Sequence, residues 1–362
     1  MKHKKKNKNH RKALQIVAIV IAVSLIIVLI VLIVRASGKI ALYKKNKTEV
    51  QTLNVDSSDT PIKIAENDGS YAWKEGDIKY NDHIYRYNEE ILTFLILGID
   101  SQDKVNKGKV TDYKDGGQSD AIFLTVLNPK NNSVKLIAVN RNTITDVDIY
   151  NSDGTFAGTM PLQITLQHGY GDGRELSCER SVNAVSKLFK NIPIHGYISI
   201  NMGAIPEIND AVGGVPVTVM ENSKWYSENL EKNVGKTVVL HGIDAYEYLQ
   251  NRNVEDFDSA TNRLNRQKQY LKSFVDVAKA KTKEDIKFPL TLYEKVKDYV
   301  VTDISISEIS YLASEALKYE FNTESIYSLS GETKEVNGFE EFYLDQNALY
   351  ELIINMFYEQ IN

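Results

Sequence analysis

Residues 118–143 read QSDAIFLTVLNPKNNSVKLIAVNRNT. Residues 121–127 are an apolar run of strand length, and 134–139 are a second. Between them Asn128-Pro129-Lys130-Asn131-Asn132 is turn chemistry, so the segment predicts an antiparallel hairpin. The start of one strand then lies beside the end of the other. Asp120, immediately before the first strand, and Arg141, two residues past the second, share one rim of a sheet. A third apolar run, 91–99, ends directly before Asp100. Paired antiparallel to 121–127, it brings Asp100 to the same rim. Two carboxylates and a guanidinium there can hold a divalent cation and a phosphate together, since hard cations bind through one or two carboxylates plus substrate phosphates. The same three residues also read as a surface salt bridge at strand ends.

Working outward, helical spacing marks 177–190, 204–212, 244–249 and 261 to about 281, with short strands at 197–200 and 215–219. Pro216 places the last of these at an edge or an irregular position. Further helices are expected at 307–318 and 346–359. Strands and helices alternate without an internal repeat, which predicts an α/β layered domain with helices covering a central sheet. Upstream, 71–90 carries alternating aromatic and aliphatic residues around Asn81-Asp82 and reads as a small hairpin. Residues 35–70 read as a linker, and 283–362 as a helical C-terminal extension without a recognisable motif.

Arginine is scarce: the chain has 9 Arg against 34 Lys, and Arg252, Arg263 and Arg266 fall within fifteen residues of one another. Arg presents a planar fork that meets phosphate oxygens bidentately, which Lys does not. Arg263, Arg266 and Gln267 stand at i, i+3, i+4 near a helix start and share a face. A helix N-terminus adds its own attraction for anions. The competing reading is a solvated helix face paired with Asp256 and Asp258.

The charge distribution narrows the function classes. Of 43 Lys+Arg, 12 lie in residues 1–47, which contain no Asp or Glu; the remainder holds 31 basic and 48 acidic side chains, a net of −17. An acidic body repels phosphate backbones, which disfavours a nucleic-acid-binding protein. Residues 13–34 are apolar apart from Gln15 and Ser24. As a helix they span roughly 33 Å, enough for a hydrocarbon core of about 30 Å and too long for a cleaved signal. The basic cluster of residues 2–12 predicts a single-pass anchor with the N-terminus cytoplasmic and the body outside. The lone Cys178 excludes an intramolecular disulfide and reads as a buried structural thiol. The six His show no ligand spacing.

Five stretches, 95–103, 118–143, 193–219, 240–252 and 262–271, together resemble the LytR-CpsA-Psr family of bacterial cell-envelope proteins, in the family's order across most of 91–282. The resemblance implies a three-layer αβα sandwich with a central mixed sheet and an apolar tunnel for a polyprenyl chain. It implies a phosphotransferase that moves a glycopolymer, of teichoic acid or capsular polysaccharide type, from an undecaprenyl-pyrophosphate carrier to peptidoglycan. The implied partners are the polyprenyl-pyrophosphate-linked glycan, peptidoglycan and the membrane of a Gram-positive-type envelope. Asp100 and Asp120 match the family's metal-binding acids, for Mg²⁺ or Mn²⁺. With Arg141 and Arg252 they form the expected catalytic set. Arg141, Gln250, Arg252, Arg263, Arg266 and Gln267 match its pyrophosphate-binding positions. Two positions depart from the pattern: Asn142 stands where the family has an acid, and Gln250 where it has an arginine. Both weaken the expected anion clamp and favour, as alternatives, a non-catalytic polyprenyl-pyrophosphate sensor or scaffold, with a transcriptional regulator behind that.

Overall fold

The two apolar runs pair as their turn dictates, with Leu127 opposite Val134 and Ile122 opposite Val139. The computed structural model describes residues 35–44, 62–67, 69, 71–105, 116–221, 227–253, 255–285, 287–316, 318–319, 321 and 323–361. The apolar run 13–34 lies outside them, and no described helix is long and apolar enough to cross a membrane.

In chain order the elements begin with α1 (35–44), β1 (Ile62–Ile64), β2 (Ile78–Tyr80), β3 (His83–Tyr87), β4 (Leu92–Ile99), β5 (Ser119–Asn128) and β6 (Ser133–Val139). Next come β7 (Ile144–Tyr150), β8 (Phe156–Gln163), α2 (Leu166–Gly169), α3 (Glu175–Leu188), β9 (Gly196–Asn201), α4 (Ile205–Ala211) and β10 (Val215–Thr218). They continue with α5 (Glu228–Lys232), β11 (Thr237–Leu240), α6 (Ile243–Gln250), α7 (Ser259–Glu284), α8 (Phe288–Val296) and β12 (Val300–Thr302). The chain closes with α9 (Ile306–Ala316), β13 (Ile326–Ser328), β14 (Gly331–Val336), β15 (Phe339–Leu344), α10 (Gln346–Phe357) and β16 (Tyr358–Gln360).

The central sheet has the order β12-β9-β4-β5-β6-β13. It is mixed: β4 is antiparallel to β5 and parallel to β9, and β13 is parallel to β6. Successive side chains of a strand point to opposite faces, and β4 shows it. Leu95 and Leu97 pack with α3 (Cys178, Val185) and α10 (Ile353, Phe357). Phe94 and Leu92 pack on the other face with Leu42 of α1 and Tyr311 of α9. Beside them Phe123 and Ala138 meet Leu264 of α7. Helices therefore cover both faces, and polar groups are left to the rims. Pro216 sits on a two-stranded ribbon, β10 with β11, opposite Val239. Burial pushes the Cys178 thiol up to about 12, as befits an inert core residue.

Two expectations about the flanks are corrected. Residues 35–44 are a docked helix: Leu42 is fully buried and Arg35 pairs with Glu315. A Cβ at Gly38 would stand 2.1 Å from the Ser307 carbonyl oxygen, so only glycine lets α1 approach α9 this closely. Residues 283–362 contribute helices, but they also supply both edge strands of the central sheet, and β16 joins a second sheet of order β1-β2-β3-β16. Strands of three residues are too short to show alternation, which is why a helical cover was expected. The β14–β15 hairpin, by contrast, carries Asn337-Gly338 at its turn, both at positive φ. That dipeptide is a strong hairpin signal.

Candidate anion-binding site

The rim predicted from the hairpin is shaped by a defect where β4 pairs with β5. Gly98 pairs with Ala121 and Ile99 with Ser119, leaving Asp120 as the unpaired residue of a β-bulge. Bulges re-aim side chains, and Asp120 lies inside the strand rather than before it, 5% exposed. Its Oδ2 stands 2.8 Å from Arg263 Nη1, and its Oδ1 forms an ion pair with Arg141 Nη1. The Arg263 side chain is 3% exposed, so this pair is deep in the protein. The reading of Arg263 as part of a solvated helix face is thereby overturned.

Arg141 is presented by a tight turn. The Asn140 side chain accepts the Asn142 N–H at 2.9 Å, and the Thr143 N–H and hydroxyl both donate to the Asn140 carbonyl. Asn140 also donates to Thr261 Oγ1 at 3.3 Å, tying the turn to the first turns of α7. A second Arg141 nitrogen donates to Gln118 Oε1. Burial brings the Arg141 pKa down to about 10, with Asp120 opposing the shift, so the guanidinium stays charged at neutral pH. Arg252 follows α6 and donates from Nη1 to Ser259 Oγ at 2.9 Å. Burial, with Arg263 beside it, lowers Arg252 from its ordinary value, against the charges of Asp120, Glu340 and Asp100. Asp100 is exposed. Burial of part of its surroundings and the Asp120 charge raise its carboxyl, against the pull of Arg263, Arg141 and Arg252.

The remaining expected residues divide. Arg266 is 1% exposed and spends its donors on main-chain oxygens: Nε donates to Tyr248 at 2.9 Å and Nη2 to Asn251. It holds the end of α6 and does not line the cleft, a correction to its expected place on the anion. Gln267 likewise donates to the Leu249 carbonyl at 3.2 Å. At Gln250 it is the main-chain oxygen, not the side chain, that meets Arg263, at 3.4 Å. Of the expected residues, Arg141 and Arg252 line the cleft described below, Arg263 stands buried behind them, and Gln267 lines the apolar cavity. Arg141 Nε and Arg263 Nη2 are buried with no hydrogen-bond partner, as is Asp120 Oδ1 beyond its ion pair. Buried unpaired donors are costly, and several at one place mark where an anion belongs.

Two spaces flank this cluster. On one side an apolar cavity of about 170 Å³ is walled by Leu97, Gly98, Ala121, Leu249 and Phe274 among others. On the other a polar cleft of about 650 Å³ contains Gln118, Arg141, Asn142, Gln163, Arg252 and Glu340. Glu340 was not legible as a site residue. It stands at the start of β15, where Oε1 accepts the Ser259 N–H and Oε2 the Asn142 amide, each at 3.3 Å. The Phe342 N–H donates to the Asn142 carbonyl at 2.9 Å and fixes the hairpin to the rim. No group of three or more His, Cys, Asp or Glu among the described residues is placed to hold a metal ion. Asp100 is exposed, and both Asp120 oxygens already face arginines.

A mixed sheet under helices, with arginines gathered on a bulged carboxylate at its rim, defines a layered α/β protein with a cationic cluster at the sheet's edge. The chain belongs to the LytR_cpsA_psr family, whose model matches residues 41–357 and so takes in both flanks as well as 91–282. It is 28% identical over 202 residues to the polyisoprenyl-teichoic acid–peptidoglycan teichoic acid transferase TagU of Bacillus cereus, covering 56% of this chain and 57% of that relative. The crystal structure of B. subtilis TagV superposes with a TM-score of 0.56 at 22% identity, over 74% of this chain and 96% of TagV. A structure of TagT bound to LI-WTA superposes at 0.54 with 22% identity, over 74% and 89% of the two chains. At these identities the structural matches show the fold.

Proposed function

We propose that this chain is a transferase that moves a glycopolymer of teichoic acid or capsular type from an undecaprenyl-pyrophosphate carrier to peptidoglycan, from a body held outside the cell by residues 13–34. The observation that carries the reading is the buried Asp120–Arg263–Arg141 cluster with unpaired guanidinium N–H groups, set between an apolar cavity and a polar cleft. The name of the B. cereus relative supports the substrate class.

Phosphoryl transfer asks mainly for positioning and neutralisation of charge on the phosphate in flight. Arg141 and Arg252 bind the pyrophosphate oxygens from the cleft, and Arg263 adds its charge from behind. Asp120 orients both Arg141 and Arg263, and its own charge is answered by them. The apolar cavity takes the carrier's first isoprenoid units; a side chain at Gly98 would press on Ala121 and fill it. Asp100 and Asp120 would hold Mg²⁺ or Mn²⁺, which when bound supplies further neutralisation of the pyrophosphate. The deciding experiment incubates the full-length protein in nanodiscs with a lipid-pyrophosphate glycan, peptidoglycan and Mg²⁺, then analyses the glycan by mass. Glycopolymer on peptidoglycan is the expected result; donor binding without turnover sinks the transferase reading in favour of a sensor. Protease added outside intact protoplasts should digest the body, and a body protected until lysis overturns the topology.

A further inference from the structure

Two chain segments run from the cavity past the charged cluster to the cleft. Along β5, Ala121 lines the cavity, Asp120 carries the arginines and Gln118 lines the cleft. Along the end of α6, Leu249 lines the cavity, Gln250 meets Arg263 through its carbonyl and Arg252 lines the cleft. In phosphoryl transfer the attacking and leaving oxygens stand roughly in line across the phosphorus. With the carrier chain in the cavity, its phosphate leaves on that side and the nucleophile arrives from the cleft. This placing of nucleophile and leaving group rests on the proposed transfer reaction.

The cleft is furnished for a sugar. Gln118, Asn142 and Gln163 line it; with Gln118 Oε1 taken by Arg141 and the Asn142 and Gln163 amide nitrogens donating to Glu340, the Gln118 amide nitrogen and the Asn142 and Gln163 amide oxygens remain for hydroxyl and acetamido groups. Phe339 lines it and is 68% exposed, which leaves its aromatic ring open to solvent. Beside it the Glu340 carboxylate accepts, among the described residues, two long bonds, from Asn142 and Ser259, which leaves lone pairs for a hydroxyl.

We propose that this cleft is the acceptor subsite, in which Phe339 stacks on a peptidoglycan sugar ring and Glu340 is the general base for the attacking hydroxyl. The hydroxyl oxygen bonds to the phosphorus that carries the glycopolymer. The bond from that phosphorus to the bridging oxygen breaks, and the polyprenyl monophosphate departs with the bridging oxygen and its electron pair. The hydroxyl proton passes to a Glu340 oxygen. The carboxylate absent at Asn142 is thus supplied by a hairpin about two hundred residues further along the chain, onto which the Asn142 side chain donates.

The test uses the full-length protein in nanodiscs, a polyprenyl-pyrophosphate disaccharide as donor and a soluble N-acetylglucosamine–N-acetylmuramic acid tetrasaccharide as acceptor. Glu340→Gln should lower kcat by about 10²-fold or more while donor affinity stays within about twofold, the signature of a lost base. Phe339→Ala should raise acceptor KM, and weaken tetrasaccharide binding by calorimetry, by about tenfold. Glu340→Gln that transfers within roughly threefold of the parent overturns the base. Donor binding weakened as much as in Arg252→Ala would instead make Glu340 a support for the arginine. If Phe339→Ala weakens the donor rather than the tetrasaccharide, the cleft belongs to the donor glycan. A parent protein that transfers nothing defeats the transferase reading, and the tetrasaccharide titration then decides the subsite alone: binding that Phe339→Ala abolishes keeps it, and absent or unaltered binding removes it.

Discussion

Asp77 and Asp120 are both buried acids answered by arginine, yet one closes its own account and the other does not. At Asp77 the Arg86 fork is bidentate, with Nε 2.8 Å from Oδ1 and Nη2 2.7 Å from Oδ2, the Lys74 N–H adds a bond at 2.8 Å, and Arg86 Nη2 also reaches the Ala72 carbonyl at 2.6 Å. At Asp120 two arginines converge on one carboxylate, a third stands close by, and guanidinium N–H groups remain over. The first arrangement fixes the start of the small sheet against β3. The second holds donors in place without satisfying them. A buried ion pair is a fold device when its hydrogen bonds are complete and a binding device when they are deliberately short of partners.

The sharpest way to break that contrast is to remove Arg263. Arg263→Ala leaves the Asp120 carboxylate with one partner fewer in a buried site, which should cost about 3–5 kcal/mol of unfolding free energy in denaturant titration. Transfer should fall by roughly 10³-fold, as expected on losing both a preorganised charge and its carboxylate's geometry. Asp100→Ala should abolish metal-dependent transfer with no measurable change in stability, because Asp100 is exposed. A variant at Asp120 that is as stable as Asp100→Ala would show that the two acids are equivalent rim groups after all.

Arg141→Ala and Arg252→Ala each remove one charge-assisted bond of about 1.5–3 kcal/mol, so pyrophosphate affinity should drop about ten- to a hundredfold by calorimetry. The Arg252 effect should be the smaller, since one of its donors already serves Ser259. Unchanged affinity in either variant removes that residue from the clamp.

At the other pair the expected loss is of stability alone. Arg86→Ala should cost about 2–3 kcal/mol while transfer per folded molecule stays within roughly twofold of the parent. Burial alone would raise the Asp77 carboxyl, but the Arg86 and Lys74 hydrogen bonds outweigh it and hold it below its ordinary value. The stabilisation is therefore complete above the unfolded carboxyl's pKa of about 3.9 and is lost as pH falls through the lower folded value. Acid unfolding should begin at higher pH in Arg86→Ala; an unshifted acid transition refutes the linkage.

The smallest effect is expected at Gln250. It meets the cluster through its carbonyl and is not among the residues that line the cleft, so Gln250→Arg should move pyrophosphate affinity by less than about threefold. Tightening by about tenfold would show that the new guanidinium reaches the anion and that the clamp has a vacant arm.

Much of the scaffold was legible because it is local. The 121–127 and 134–139 runs, with their turn, specify a hairpin without help from the rest of the chain. That hairpin brings Asp120 and Arg141 to one rim whatever covers the sheet, and Asp100 joins them once β4 pairs with β5. The periodic helices α3, α4, α6 and α7 are legible for the same reason: an amphipathic repeat declares which face will be buried. The edge strands β12 and β13 were not, because three residues carry no period and gain their pairing from neighbours already in place.

The sequence by itself determined the layered α/β class, the rim on which acids and arginine meet, and the kinship carried by five ordered stretches. Only the tertiary structure decided what each residue does there. Arg263 and Arg266 sit three positions apart, about 60° around the same helix and less than one turn along it. One meets a carboxylate on a bulge and the other meets the carbonyls that end α6, because those are the groups that packing places before them. Glu340 enters the site from a hairpin 81 residues beyond Ser259, through contacts that no local pattern encodes. A period along the chain fixes which way a side chain faces; what stands opposite is set by elements distant in sequence, and so by the fold.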